Sequence, residues 1–240
     1  MICHDVCGHN DGSESRWFFV WLVTTIVVFL TAQWVYKKRK KNYLLPVFTT
    51  TIALISVIVL SGQSYEQYYA SAKWIDWLLG PAVVALSYPL YKYRTMLLKS
   101  GVKIIGWVTV ASLLSVVTGA LVLSLFPVSH NYIVTAMLKN ITTPVAIDLA
   151  EIYGGIPSLV AIICTLCGML GAVVGPMIYR RFNVQSKLAQ GVAMGALAHA
   201  IGTSRLMEED DYSGAISTLS FLVVTLVMPL IVPVLVYWLS

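Results

Sequence analysis

WFFVWLVTTIVVFLTAQWVY (residues 17–36), followed at once by KKRKK (residues 37–41), decides the class of fold. An uncharged run of this length is what an α-helix needs to cross the ~30 Å hydrocarbon layer of a bilayer. The basic block stops the run at a membrane surface. The positive-inside tendency puts it in the cytoplasm, with the polar tail MICHDVCGHNDGSESR (residues 1–16) and the N-terminus outside. The run has no basic leader and no small-residue cleavage site, so it reads as a span and not as a signal peptide. Beyond it the chain keeps the same character. Of 240 residues, 58% are hydrophobic and 11% charged, and the mean hydropathy is +0.79. Soluble domains carry about a quarter charged residues. That excludes an ordinary soluble enzyme and leaves no room for a separate soluble domain. The net charge of +5 is no sign of nucleic acid, because twelve of the sixteen Lys and Arg flank apolar runs, at 37–41, 92–103 and 180–187.

Working outward, a second run spans Leu44 to Gly62, and Tyr65 to Asp76 is polar and aromatic, with Trp74 and Trp77 suited to the interface. Residues 77–91 are short for a crossing and contain Gly80, Pro81 and Pro89, as in a broken or re-entrant helix. A full span follows from Ile104 to Phe126. Residues 131–156 break again, and further spans run from Ile156 to Tyr179 and from Ser213 to Ser240. Gly168, Gly171 and Gly175 offer a packing face, and Gly191 and Gly195 stand in G-x-x-x-G spacing. The expectation is an all-α polytopic bundle, one membrane domain over residues 17–240, with about seven or eight membrane segments. It includes paired broken or re-entrant helices. A weak echo between VVTGALVLSLF (116–126) and VVGPMIYRRF (173–182) suggests two pseudo-symmetric units, 77–126 and 131–182. If 131–153 dips in and returns, the units are inverted and the basic clusters share one side. With 187–207 crossing, that arrangement puts the acidic patch Glu208 to Asp211 outside and the C-terminus inside.

The chemistry concentrates in two stretches. KNITTPVAIDLAEIYGGIPS (139–158) carries breakers and polar side chains that are costly in lipid unless buried in protein or lining a cavity. Pro144 suits the first position of a half-helix and Thr143 its N-cap, where free N–H groups would face a small carboxylate. Thr142 and Thr143 can equally serve only to satisfy backbone groups. Asp148 and Glu151 lie one helical turn apart, with Lys139 a candidate partner, unless both carboxylates are solvated at an interface. In GALAHAIGTSRLMEE (195–209), His199 can titrate near neutral pH, and Gly202 can end one half-helix before Thr203 and Ser204 begin another. Arg205 can clasp a carboxylate. The plainer alternatives are a hydrogen-bonded packing role for His199 and a salt bridge from Arg205 to Glu208 or Glu209. CHDVCGH (3–9) offers Cys3, His4, Cys7 and His9 but matches no tight zinc spacing, so no metal is expected. Cys164 and Cys167 read as packing residues inside a span. No P-loop, dinucleotide fingerprint, nucleophile elbow or HExxH is present, so neither an enzyme nor a cofactor is expected.

These segments resemble the LrgB/CidB family, whose members carry a stretch similar to TTPIAIEIS, then GGIPSL, a small-residue span ending in GP, and a G-x-A-x-H-x-x-GTA motif with a nearby Glu. Here they stand as TTPVAIDLAEIYGGIPSL, GAVVGP and GALAHAIGTSRLMEE, and LLGPAVVALSYPLY resembles a further family segment. The resemblance covers roughly residues 20–240. It implies a multi-pass protein of the bacterial plasma membrane, forming homo- or hetero-oligomers and made alongside a smaller LrgA/CidA-like partner. Family members are described as antiholin-like modulators of murein hydrolases and autolysis, and as pyruvate carriers. A plant relative is a plastid glycolate/glycerate translocator. By position, the family's polar motif falls on Thr142, Thr143, Pro144, Asp148, Gly155, Pro157, His199, Gly202, Thr203, Arg205 and Glu208. Two departures are visible: Asp148 stands where Glu is commoner, and Leu45-Pro46 where Asn-Pro is expected. The implied function is carriage of small 2-oxo or 2-hydroxy monocarboxylates. The alternative is a holin-like regulator with no transport cycle.

Overall fold

The computed structural model describes residues 11–39, 44–85 and 87–239. The tail residues Cys3, His4, Cys7 and His9, weighed above as metal ligands, lie outside the described residues. Among the described residues every regular element is a helix. Four are long and apolar enough to cross a membrane: Phe19–Arg39, Arg94–Ser124, Pro157–Arg181 and Asp211–Tyr237. The chain divides into two compact units, Met1–Val84 and Ala85–Ser240.

In the first unit, α1 (Asp11–Arg39) leaves Phe19, Val23, Val27 and Leu30 exposed, as a lipid-facing surface requires. Its buried Trp21 meets Tyr68 of α3 (Tyr65–Asp76) edge to face at 5.8 Å. Between them, α2 (Pro46–Ser61) begins on Pro46, where a missing N–H costs nothing, and ends on Gly62 at φ 65°, the left-handed position glycine tolerates. Ser64 caps α3 by accepting from the Gln67 N–H. On either side of residue 86, which lies outside the described residues, the chain is helical, as α4 (Leu79–Ala85) and α5 (Ser87–Lys92).

The second unit is built on two hairpins that enter from opposite ends. After α6 (Arg94–Ser124), the short α7 (His130–Met137) turns back along it. Lys139 thus reaches Ser115, and the Ala136 carbonyl lies close to Gly119. A single 3-10 turn, Leu138–Asn140, reverses the chain into α8 (Thr143–Tyr153). The return is fixed by the Ile156 N–H, which donates to Thr135 Oγ1 at 2.9 Å. Residues 130–153 therefore fold back on themselves as a hairpin, both ends lying at one end of the unit. α9 (Pro157–Arg181) then runs the full depth, so its arginine end lies at the same end of the unit as Arg94.

The second hairpin is α10 (Lys187–Glu209). In a straight helix residues 187 and 210 would stand roughly 35 Å apart, yet Lys187 Nζ and Asp210 Oδ1 form a salt bridge. Gly202 packs on Met194 and Ala198 of the preceding limb. The reversal falls at His199, whose backbone sits at φ 50°, ψ −144°. This corrects two expectations. The break falls at His199 and not at Gly202, which instead lets the two limbs close on each other. Residues 187–207 also fold back to the end from which they start, instead of running straight through the unit. The acidic patch Glu208 to Asp211 therefore lies at the end that holds the basic clusters of this unit, where Lys92 pairs with Asp211 at 2.7 Å. The last helix, α11 (Asp211–Leu239), carries the C-terminus to the opposite end, where Leu235 shares a cavity with Leu121 and Ser124.

Small residues let these hairpins seat. Gly168, Gly171 and Gly175 of α9 lie against Ile201, Ala198 and Met194, so the packing face read from the sequence meets α10. Gly191 and Gly195 admit α11: a Cβ on Gly191 would stand 2.8 Å from the Ser213 carbonyl oxygen.

Candidate functional site

Reversing a chain inside a membrane frees backbone groups that lipid cannot satisfy. Each hairpin tip meets that demand with side chains from the other tip or from a neighbouring helix. His199 Nε2 lies 3.2 Å from the Lys139 carbonyl oxygen, so this nitrogen carries the proton and donates. Asn140 Nδ2 donates to the Ala196 carbonyl at 3.5 Å. Cys164 Sγ donates to the Leu138 carbonyl, also at 3.5 Å. Behind His199, Thr203 Oγ1 donates to the His199 carbonyl at 2.7 Å and pairs with Ser217 Oγ of α11 at 2.8 Å. The two hairpins thus touch tip to tip, at 139–140 and 196–199, among α6, α9 and α11.

His199 is 7% exposed, and Thr203 is fully buried. A non-glycine residue at φ 50° costs on the order of 1–3 kcal/mol, and such strain gathers at functional turns. Both readings of His199 therefore meet in one residue: it is hydrogen-bonded and packed, and it also forms the tip.

On the other side of the contact, Thr142 is the N-cap of α8, one residue before the expected Thr143, and its side chain makes no capping bond. Pro144 follows within the first turn. Thr142 and Thr143 are half-buried and Pro144 is exposed. The start of α8 thus presents backbone N–H groups and threonine side chains beside the turn that holds Lys139 and Asn140.

Several expected partners do not come together. Asp148 and Glu151 are exposed on α8, and neither is among the ion pairs of the described residues. The proposed pairing with Lys139 is therefore absent. Lys139 points back along α7, as helical side chains do, and donates to the Ser115 carbonyl at 2.6 Å. Arg205, buried, pairs with Glu208 at 3.2 Å and Glu209 at 2.7 Å, the plainer of its two readings. It stands toward the hairpin mouth and away from the tip. Ser204 is exposed and donates to the Ile201 carbonyl. Beside the same mouth, a cavity of about 380 Å³ is lined by Tyr179, Arg180, Gln190 and Glu209.

Sequence reasoning missed Asn140, Ser115 and Ser217. For Ser217 a signal existed: Ser213, Ser217 and Ser220 recur on one face of an otherwise apolar span, and all three are buried. Asn140 lay inside the quoted stretch but had no assigned role.

The LrgB-like family profile matches residues 25–238. The chain belongs to the LrgB-like family. Among its relatives, YxaC of Bacillus subtilis (strain 168) is 36% identical over 199 residues, covering 83% of this chain and 86% of YxaC. YwbG of the same strain is 34% identical over 201 residues, 84% of this chain and 89% of YwbG. Holin-like protein CidB of Staphylococcus aureus (strain N315) is 30% identical over 216 residues, 90% of this chain and 94% of CidB. No solved structure matches the chain. The match to the LrgB-like family takes in both hairpins, so the residues at their tips lie within the shared region.

Proposed function

We propose that this LrgB-like protein is a secondary carrier for small 2-oxo or 2-hydroxy monocarboxylates, of the pyruvate and glycolate class. The observation that carries it is the meeting of two oppositely entering hairpins at His199 and the Lys139 carbonyl. Half-helix tips at mid-depth supply N–H groups and hydroxyls for a carboxylate without a full charge of their own. The substrate-contacting set is Thr142, Thr143, Pro144, His199, Gly202 and Thr203. Arg205 and Ser204 belong to the mouth. In this reading α6 with the first hairpin and α9 with the second are the two inverted units, and alternating access opens the tip contact to one side at a time. The protein works in the bacterial plasma membrane, N-terminus outside, with an LrgA/CidA-like partner and not as an enzyme.

The name of one relative, holin-like protein CidB, favours a second reading: a holin-like assembly that perturbs the membrane without a transport cycle, and through it regulates murein hydrolases. The two differ in kinetics. In proteoliposomes holding this chain and its partner, a carrier gives saturable, cross-competed uptake of labelled pyruvate and glycolate. A pore gives leak that does not saturate. His199→Gly separates fold from function, because glycine accepts φ 50° and relief of strain offsets the lost hydrogen bond of about 1 kcal/mol. The expected result is a folded protein, inserted at wild-type level, with uptake reduced at least tenfold. Unchanged saturable uptake in this variant and in Thr143→Val would remove the tip as the site.

A further inference from the structure

Lys139 is the cation of the first hairpin tip. It is half-buried, its ammonium rests on a neutral acceptor, the Ser115 carbonyl, and it takes part in none of the ion pairs of the described residues. An ammonium so placed is expensive unless an opposite charge arrives. Gly119 leaves room for the ammonium itself, since a Cβ there would stand 2.7 Å from Nζ. One turn before Ser115 on the same buried face of α6, the fully buried Ser112 hydroxyl has no hydrogen-bond partner.

We propose that Lys139 is the charge partner of the substrate carboxylate. In this structure its ammonium is parked on Ser115 beside Gly119. On binding it transfers to the carboxylate, and Ser112 supplies a second donor. This rests on the carrier reading and sharpens it. One ammonium matches one negative charge, and Arg205 cannot add a second while Glu208 and Glu209 hold it. The site should therefore take monocarboxylates and refuse both dicarboxylates and neutral amides.

The test uses the full chain with its partner in proteoliposomes, reading inhibition of labelled pyruvate uptake by lactate, lactamide and succinate. Wild type is expected to be inhibited by lactate alone. Lys139→Gln, or Lys139→Met where the glutamine variant does not fold, is expected to raise the KM for pyruvate at least tenfold. That is the weight of a charge-assisted hydrogen bond. Either variant should also lose the preference for lactate over lactamide, and Lys139→Arg should keep it. Wild-type KM and preference in the neutral variants would overturn the role of Lys139 and leave the carrier reading standing. Absence of saturable uptake in wild type would overturn both.

Discussion

Thr203 shows what one hydroxyl does at this depth. It satisfies the carbonyl that the turn at His199 leaves free and ties that turn to Ser217 of α11, with both side chains buried. Thr203→Val keeps the shape but strands the Ser217 hydroxyl, at a cost of about 1–3 kcal/mol. Adding Ser217→Ala removes the stranded partner. The double variant is therefore expected to be more stable than the sum of the single losses, by about 1 kcal/mol. Thermal unfolding of the four proteins in detergent checks this, and strict additivity would mean the two groups do not interact. Cys164 serves the first hairpin in the same way, from α9, at the Leu138 carbonyl.

At the level of elements, the ends of the second hairpin are fastened by Asp210. Its carboxylate caps α11 by accepting from the Ser213 N–H and Ser213 Oγ, both at 2.8 Å, and it pairs with Lys187. Burial works against the charge, but the hydrogen bonds from Lys187 and Ser213 outweigh it and hold the carboxyl below its ordinary value. A lowered carboxyl stabilises the fold above its unfolded pKa of about 3.9, and that contribution is lost as pH falls through the folded value. The fastening should thus be intact at pH 5 and fail only in stronger acid. Asp210→Asn keeps the cap and loses the charge. Asp210→Ala loses both, with a cap cost of about 1 kcal/mol. Melting curves at pH 7 should rank wild type first, asparagine next and alanine last. Wild type should show a larger acid-dependent loss than either variant, each of which keeps only the other ion pairs.

The two hairpins were unequally legible. Pro144 and the glycines at 154 and 155 punctuate the first, and their mechanism is visible in the letters: a missing N–H and a tolerated positive φ at Gly154. The second contains no proline, and its reversal falls on a histidine, which is commoner at positive φ than most side chains but is far too weak a signal to mark a turn. Tertiary contacts with Lys139, Ser217 and Met194 impose it. The polarity of 187–209 was the remaining trace, since a lipid-facing span does not carry Gln190, His199, Arg205, Glu208 and Glu209 together. Likewise the Lys139 partner was misread because Asp148 and Glu151 share a helix face with each other, while Lys139 sits on a different element.

For the second unit as a whole, the hairpins dictate which loops share a side. Single cysteines replacing Asn183 and Asp211 should label from one side of the membrane, and those replacing Val128 and Gly154 from the other, in a background with Cys3, Cys7, Cys164 and Cys167 replaced. Labelling of 183 and 211 from opposite sides would mean that 187–209 crosses. In the carrier reading the tip contact also has an electrical consequence. The two tips meet over only a few residues, 139–140 and 196–199. A charge passing between them traverses the transmembrane voltage, worth up to about 2.3 kcal/mol per charge per 100 mV. A lone carboxylate drawn inward against a negative interior is therefore slowed by the resting potential, whereas one carboxylate traded for another moves no net current. Cells that hold a steep voltage would use such a protein as an exchanger or an exit, and those that have lost their voltage would let it fill.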